Sequence, residues 1–176
     1  VERLLQYQGD KFPKEAVGIC ENDPKNGAWP LEGKIEFKQY CMRYRPKLPL
    51  VLKNISCNIP AGSSVGICGR TGSGKSSMFT ALFRLVEPAE GTIFIDGIDT
   101  QKMGLNTLRS RIAIIPQDPV LFVGNIRGNL DPFDTYEDHE IWNALKLCNM
   151  YEAINTRPDK LSTLVSEGGA NFSQGE

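Results

Sequence analysis

A glycine-rich run, Gly69-Arg70-Thr71-Gly72-Ser73-Gly74-Lys75-Ser76, matches the pattern G-x-x-x-x-G-K-[ST] at every fixed position. Its glycines let the backbone turn tightly with no Cβ to keep an anion away, so successive N–H groups form a cradle for phosphate. In such a loop Lys75 reaches the β- and γ-phosphates and the Ser76 hydroxyl binds Mg²⁺. The following Ser77 is a candidate contact to the α-phosphate. The predicted phosphate-binding residues are Gly69, Arg70, Thr71, Gly72, Ser73, Gly74, Lys75, Ser76 and Ser77.

The segments on either side of this run have the composition that a phosphate loop requires. Residues Ser64–Cys68 are short and apolar and predict a buried parallel strand. Lys75–Val86 carries apolar residues at helical spacing. A helix that begins at the lysine adds the partial positive charge of its N-terminus to the loop. An ordinary glycine-rich turn needs neither flanking element, so the context favours the phosphate site.

The rest of the first two thirds of the chain predicts further elements of an α/β fold. Lys34–Tyr40 alternates apolar and polar residues, as a half-buried strand does. Val51–Ile59 and Gly91–Asp96 predict two more strands. Leu105–Ser110 predicts a short helix, and Ile112–Ile115 predicts another buried strand ended by proline.

The two ends of the chain differ in character from this core. Residues 1–30 are polar and interrupted by glycine and proline, which predicts a linker. Residues from about 118 to 171 predict a mainly helical insert, with one amphipathic helix around Ile141–Cys148. Met150–Ile154 either continues that helix or starts another. The single histidine, His139, lies in a polar helix start and is expected to be a solvated surface residue.

Composition excludes several classes of protein. The chain has 176 residues and a formal net charge of −1, which argues against a general nucleic-acid surface. Five cysteines without a C-x-x-C pair argue against a disulfide framework or a zinc site and favour a cytosolic setting. The chain contains no signal-peptide pattern and no apolar run of about 18 residues, so we expect any membrane role to involve other segments.

Four segments together resemble the nucleotide-binding domains of ABC transporters. They are Met42-Arg43-Tyr44-Arg45-Pro46, Ile115-Pro116-Gln117-Asp118-Pro119, Asn129-Leu130-Asp131-Pro132-Phe133 and the stretch from Ser166 to Glu176. The resemblance covers nearly the whole chain. More specifically, the chain resembles the second such domain of the C subfamily, the multidrug-resistance-associated and sulfonylurea-receptor group. It implies an α/β P-loop NTPase fold with a RecA-like core, an antiparallel β subdomain and a helical subdomain. It assigns residues 31–176 to the N-terminal part of the ATP-binding domain.

The resemblance implies roles for residues outside the phosphate loop. Tyr44 matches the aromatic residue that stacks on adenine, although a packed strand tyrosine is the alternative and Tyr40 competes for the role. Gln117 matches the glutamine that contacts Mg²⁺ or the attacking water, so Lys75 and Gln117 are the predicted catalytic residues. The segment Asn129–Phe133 is expected to be structural.

The last residues of the chain resemble the family's signature L-S-G-G-Q, which contacts the γ-phosphate held by an opposite domain. Ser173 and Gly175 keep the matching serine and second glycine. Phe172, Gln174 and Glu176 depart from the pattern. Added bulk at Gln174 and a negative charge at Glu176 are expected to lower affinity for a polyphosphate.

The resemblance also implies function and partners. The complete protein is expected to bind ATP and Mg²⁺, and to hydrolyse ATP to drive export at the cytosolic face of a membrane. Its expected partners are transmembrane domains and a second nucleotide-binding domain packed head to tail with shared ATP sites, with no nucleic acid. The alternative is a nucleotide sensor that gates a channel with little turnover. A soluble kinase or GTPase is disfavoured because no guanine-specifying N-K-x-D occurs.

In the family, an apolar strand ending in aspartate, then a catalytic glutamate, follow the signature. No apolar run ending in Asp-Glu occurs in residues 1–176. We therefore expect the domain to be incomplete at its C-terminal end and this fragment to be inactive alone.

Overall fold

The computed structural model describes residues 15–21, 23–24, 29–116, 120–173 and 175. The chain divides into two compact units, Val1–Ala113 and Ile114–Glu176. None of the helices within the described ranges has the length and apolar character needed to span a bilayer.

The first unit contains an antiparallel sheet of four strands. These are β1 (Ile35–Met42), β2 (Leu52–Ile59), β3 (Glu90–Ile95) and β4 (Ile98–Asp99), in the order β2-β1-β3-β4. Alternating side chains of β1 and β3 face the core, because successive residues of a strand point to opposite sides. The strands predicted at Lys34–Tyr40, Val51–Ile59 and Gly91–Asp96 are confirmed with small shifts at their ends.

Helices pack against this sheet in the first unit. They are α1 (Lys75–Leu82) and α2 (Leu105–Arg109), with a 3₁₀ turn at Thr100–Lys102. Sheet, helices and Trp29 share one apolar core: Trp29, Phe37, Tyr40, Met42, Leu52, Ala81, Ile93, Ile95, Met103 and Leu108.

Helix α1 ends earlier than the predicted Lys75–Val86. Arg84 adopts a left-handed backbone with φ 45°, which stops an α-helix in the manner of a C-terminal cap. Its guanidinium is buried and donates to the carbonyls of Thr100 (2.6 Å) and Met103 (2.8 Å) and to the Glu87 carboxylate (2.7 Å). The buried cation therefore fixes the residue that terminates the helix.

The two predicted buried strands Ser64–Cys68 and Ile112–Ile115 are wrong for this structure. Residues 63–70 and 112–116 form neither helix nor strand. A strand needs a hydrogen-bonded neighbour, and within the described ranges no strand pairs with either segment. Most of their apolar side chains are consequently exposed, as Ile67 (44%) and Ile115 (96%) show, while Ile112 is partly buried against the core.

The second unit is mainly helical. Its elements are β5 (Gly124–Asn125), α3 (Ile126–Leu130), α4 (Asp138–Leu147), α5 (Tyr151–Asn155), a 3₁₀ turn at Lys160–Ser162, β6 (Leu164–Val165) and a turn at Glu167–Gly169. Strands β5 and β6 pair antiparallel. The predicted amphipathic helix is confirmed as α4, Met150–Ile154 belongs to a separate helix, and His139 is exposed. The core of this unit consists of Ile126, Ile141, Leu145, Ile154, Leu161 and Val165.

One arginine organises the turn between α3 and α4. Arg127 contacts Asp134 (2.6 Å), Asp138 (2.8 Å) and, more distantly, Asp131 (3.8 Å). It also donates to the Tyr136 carbonyl at 2.8 Å. The Tyr136 backbone N–H, bonded to Asp131, is the main cause that holds the pKa of Asp131 below its ordinary value. These contacts support the structural role expected for the segment 129–133.

Part of the predicted linker is bonded to the first unit. Asp23 accepts hydrogen bonds from the Gly104 amide (2.8 Å) and the Thr107 hydroxyl (2.7 Å) at the start of α2. The Asn106 amide donates to the carbonyl of Gly18 at 2.7 Å. The function of this segment as a linker from a membrane domain stays a prediction. Its described residues Gly18 and Asp23 are hydrogen-bonded to the start of α2.

Asp96, in the turn between β3 and β4, forms a second set of hydrogen bonds to a segment that is distant in sequence. Its carboxylate accepts backbone N–H bonds from Leu31 (2.7 Å), Glu32 (3.0 Å), Gly33 (3.1 Å) and Lys34 (2.7 Å). Burial by itself would raise the pKa of Asp96, but the four N–H groups together outweigh burial and lower it. The ionised carboxylate therefore stabilises the entry into β1.

Replacing this carboxylate tests the tie. Asp96→Asn keeps a residue that tolerates the left-handed backbone, and we expect it to lower the free energy of unfolding by about 1–3 kcal/mol. Because the folded-state pKa is depressed, the contribution of Asp96 is present above the ordinary pKa of 3.8 and is lost as the pH falls below it. The difference between wild type and variant in urea unfolding should therefore shrink below that pH. A difference that does not change with pH would contradict this assignment.

Candidate functional site

The glycine-rich loop ends in a residue whose backbone only glycine adopts readily. Gly74 has φ 92° and forms the N-cap of α1 without a side-chain cap. A Cβ on Gly74 would lie 3.3 Å from a methyl carbon of Leu52 and 3.5 Å from the Val51 carbonyl oxygen. The loop is therefore pressed against the start of β2, which fixes where α1 begins.

The first turn of α1 leaves backbone donors unpaired. The N–H groups of Lys75, Ser76 and Ser77 have no acceptor among the described residues, as expected for a helix start without a cap. No acidic side chain occupies that turn, although acids are favoured there. Three adjacent donors at the positive end of a helix fit the oxygens of a polyphosphate.

Lys75 places its ammonium group over the loop. Its Nζ donates to the carbonyls of Gly69 (2.8 Å) and Arg70 (2.9 Å). An ammonium has three donors, so one remains for an external acceptor. The loop thereby carries a positive charge beside the three amides, and no carboxylate in the described part of the chain bonds to it.

Tyr44 lies next to the loop and Tyr40 does not. Tyr44 is 48% exposed, and its hydroxyl is 2.9 Å from the hydroxyl of Ser77. Tyr40 is buried and packs edge-on against Phe37 at 5.8 Å between ring centres. Burial, with the negative charge of Glu87, raises the pKa of Tyr40 to about 12. The geometry therefore favours Tyr44 as the aromatic residue of the site, and its contact with a base stays a prediction.

The tyrosine is positioned by the hairpin that joins β1 to β2. The Val51 amide donates to the Met42 carbonyl at 2.8 Å and closes this hairpin. Arg43 donates to the Pro46 carbonyl at 3.3 Å within it. Because the same hairpin packs against Gly74, the sheet places the aromatic ring and the phosphate loop side by side.

The opposite end of α1 is held by a second arginine. Arg109 donates to the carbonyls of Phe83 (3.0 Å) and Arg84 (3.0 Å), where a cation is favoured by the helix dipole. It also pairs with Glu15 at 2.9 Å, and this hydrogen-bonded ion pair lowers the pKa of Glu15. No spacing pattern along the chain points to Arg109, because its contacts join segments far apart in the sequence.

The remaining predicted site residues are not all brought together. Thr71, Ser73 and Ser76 are exposed on the loop or first turn of α1. Gln117 lies outside the described residues. Ser173 and Gly175 belong to the second unit and are exposed.

The approach to Ser173 is ordered by one side chain. Asn171 accepts from the backbone N–H (3.0 Å) and hydroxyl (2.8 Å) of Ser166 and donates to the Leu164 carbonyl at 2.8 Å. Next to it, Phe172 packs under the Arg157 guanidinium at 4.3 Å. The segment is a defined turn, and its contact with a phosphate stays a prediction.

Comparison with known proteins gives consistent matches. Residues 52–176 match the family model described as ABC transporter. The chain is 49% identical over 176 residues to ABC transporter C family member 9 of Arabidopsis thaliana, covering all of this chain and 12% of that protein. It is 56% identical to ABC transporter C family member 8 of Dictyostelium discoideum and 48% identical to ATP-binding cassette sub-family C member 3 of Rattus norvegicus, in each case over the whole chain and 11% of the relative. The chain therefore spans about an eighth or less of the length of these relatives.

Two glycine substitutions separate backbone strain from packing in the loop. Gly72 (φ 80°) and Gly74 (φ 92°) both have left-handed backbones, but a Cβ on Gly72 would meet nothing within 4 Å. We expect Gly72→Ala to lower the free energy of unfolding by about 1–2 kcal/mol through strain alone. Gly74→Ala should cost more, because its Cβ also crowds Leu52 and Val51. Equal losses in urea unfolding would show that the loop is not pressed against β2.

Proposed function

Because the chain belongs to the ABC transporter family, whose fold is the P-loop NTPase fold, we propose that it is the ATP-binding part of a membrane exporter. In the complete protein, ATP hydrolysis then drives a substrate across a membrane. The observation that carries this proposal is the start of α1. Three unpaired amides, an ammonium group and a helix N-terminus converge there within one turn.

We assign the parts of the fold accordingly. The sheet β2-β1-β3-β4 is the antiparallel β subdomain, and the mainly helical second unit, close to the predicted insert at 118–171, is the helical subdomain. The largely exposed apolar segments 64–68 and 112–115 belong to a RecA-like core, where parallel strands would pair with them. A parallel strand buried on both faces has this near-continuous apolar composition.

Each residue of the site has a proposed task in binding. The amides of 75–77 and the Lys75 ammonium hold the β- and γ-phosphates and stabilise the charge that develops during transfer. Tyr44 stacks on the base. When bound, Mg²⁺ would neutralise phosphate charge. The exposed Ser76 hydroxyl and Gln117 are the groups that would hold the metal. Within residues 1–176 no Asp-Glu follows an apolar run, so no general base and no second carboxylate for the metal are assigned among them.

The second unit supplies the proposed partner surface. Ser173 and Gly175 would contact the γ-phosphate bound by a second nucleotide-binding domain, head to tail with this one. Gln174 and Glu176 are expected to weaken that contact. Transmembrane domains of the same transporter are the other proposed partners, which would place this chain at the cytosolic face of a membrane. The relatives are named as transporters, which favours export over the nucleotide-sensing alternative.

The first test removes the positive charge of the loop. We expect Lys75→Ala in the full-length protein to weaken ATP binding by about one to two decades, because hydrogen bonds to charged groups contribute about 1.5–3 kcal/mol. The measurement is titration with a fluorescent adenine nucleotide in the presence of Mg²⁺. Lys53→Ala is the matched control, since Lys53 is an exposed lysine on β2 and its loss should leave the affinity unchanged. An unchanged affinity in Lys75→Ala would refute the phosphate site.

The second test concerns the metal. Ser76→Ala should abolish phosphate release that depends on Mg²⁺ in the full-length protein, because the hydroxyl is the proposed ligand. Nucleotide binding measured with a metal chelator should be close to wild type. Wild-type phosphate release by the variant would refute the role of Ser76.

A further inference from the structure

The hydrogen bond between Tyr44 and Ser77 joins two parts of the site that are far apart in sequence. The two hydroxyl oxygens are 2.9 Å apart, and either can be the donor. Ser77 is buried, with 6% of its surface exposed. It is the third residue of α1, so its own amide is one of the three unpaired donors. The bond ties the hairpin that carries Tyr44 directly to the first turn of α1.

The chemistry of a serine hydroxyl lets both contacts exist together. It has one proton to donate and two lone pairs that accept. When the Tyr44 hydroxyl donates to Ser77, the proton of Ser77 remains for another acceptor, such as a phosphate oxygen. When Ser77 instead donates to Tyr44, it has no proton left for phosphate. Binding of an anion at the first turn therefore selects the arrangement in which Tyr44 donates.

The ring of Tyr44 has room beside it. A cleft of about 690 Å³ includes Tyr44 in its wall, together with Arg43, Arg45 and Val86. Tyr44 is half exposed and lies in the hairpin between β1 and β2. Its hydrogen bond to Ser77 therefore helps to fix the orientation of the ring. Losing that bond would let the ring turn into the open space without disturbing the buried core.

We propose that Ser77 is a positioning residue that holds Tyr44 at a set distance from the phosphate-binding amides. The pair then selects a phosphate chain joined to a base over a bare polyphosphate. This inference rests on the proposed function, because it assumes that Tyr44 is the platform for the base. It assigns Ser77 a second task beyond contact with phosphate.

The test compares two ligands on the full-length protein: MgATP and magnesium tripolyphosphate, each measured by calorimetry. Tyr44→Phe keeps the stacking ring and removes only the hydroxyl. We expect it to weaken MgATP by about three- to tenfold, as the loss of one hydrogen bond does, and to leave tripolyphosphate unchanged. Ser77→Ala should weaken both ligands, and adding Tyr44→Phe to it should cause no further loss. Ser77→Thr, which keeps the hydroxyl, should restore wild-type discrimination.

Tyr40→Phe is the matched control. It makes the same chemical change at a buried hydroxyl that has no hydrogen-bond partner among the described atoms. Both affinities should therefore equal those of the wild type, and unfolding curves of the two phenylalanine variants show whether folding is intact.

Three results would overturn the inference while leaving the proposed function in place. They are an unchanged MgATP affinity in Tyr44→Phe, an equal loss for both ligands in that variant, and a loss that adds fully to that of Ser77→Ala. Wild-type protein that binds tripolyphosphate but not MgATP would overturn the inference and the proposed function together. The loss of both in Lys75→Ala identifies the phosphate site independently.

Discussion

Helix α1 begins on a left-handed glycine that has no side chain to cap it, so its first three amides have no acceptor in the described chain. Unpaired backbone donors are costly when water is excluded. They gain most from an anion, which also meets the positive end of the helix dipole. The absence of an acidic side chain in that turn keeps the position open for a ligand. Nucleotide binding, the task of Lys75 and the proposed place of Mg²⁺ all depend on this one feature.

The surrounding fold holds that helix start in place from several sides. The β1–β2 hairpin packs against Gly74 and carries Tyr44. Just past the other end of α1, Arg109 binds the carbonyls of Phe83 and Arg84 and pairs with Glu15. The described residues that precede β1 are therefore bonded to the far end of the phosphate-loop helix. A helix fixed at both ends keeps its three donors in register, which is what electrostatic stabilisation of a phosphate requires.

Sequence patterns predicted the local elements well and the long-range contacts poorly. Alternation located β1, β2 and β3, and the motif located the loop and the start of α1, because these patterns are set by neighbouring residues. The segments 64–68 and 112–115 have the apolar composition of buried strands but no partner within the described ranges, and pairing is not a local property. The end of α1 depends on the buried Arg84, and the Asp96 tie and the Tyr44–Ser77 bond cross many residues. None of these contacts leaves a periodic signal.

The central claim is that the amides of residues 75–77 are donors to a nucleotide's phosphates. Hydrogen exchange of these amides in the full-length protein, followed with and without MgATP, tests it directly. The account predicts that saturating MgATP slows exchange at these residues, while amides already bonded within the sheet β2-β1-β3 change little. Unchanged exchange at residues 75–77 while the nucleotide is bound would contradict it, since the phosphates would then be held elsewhere.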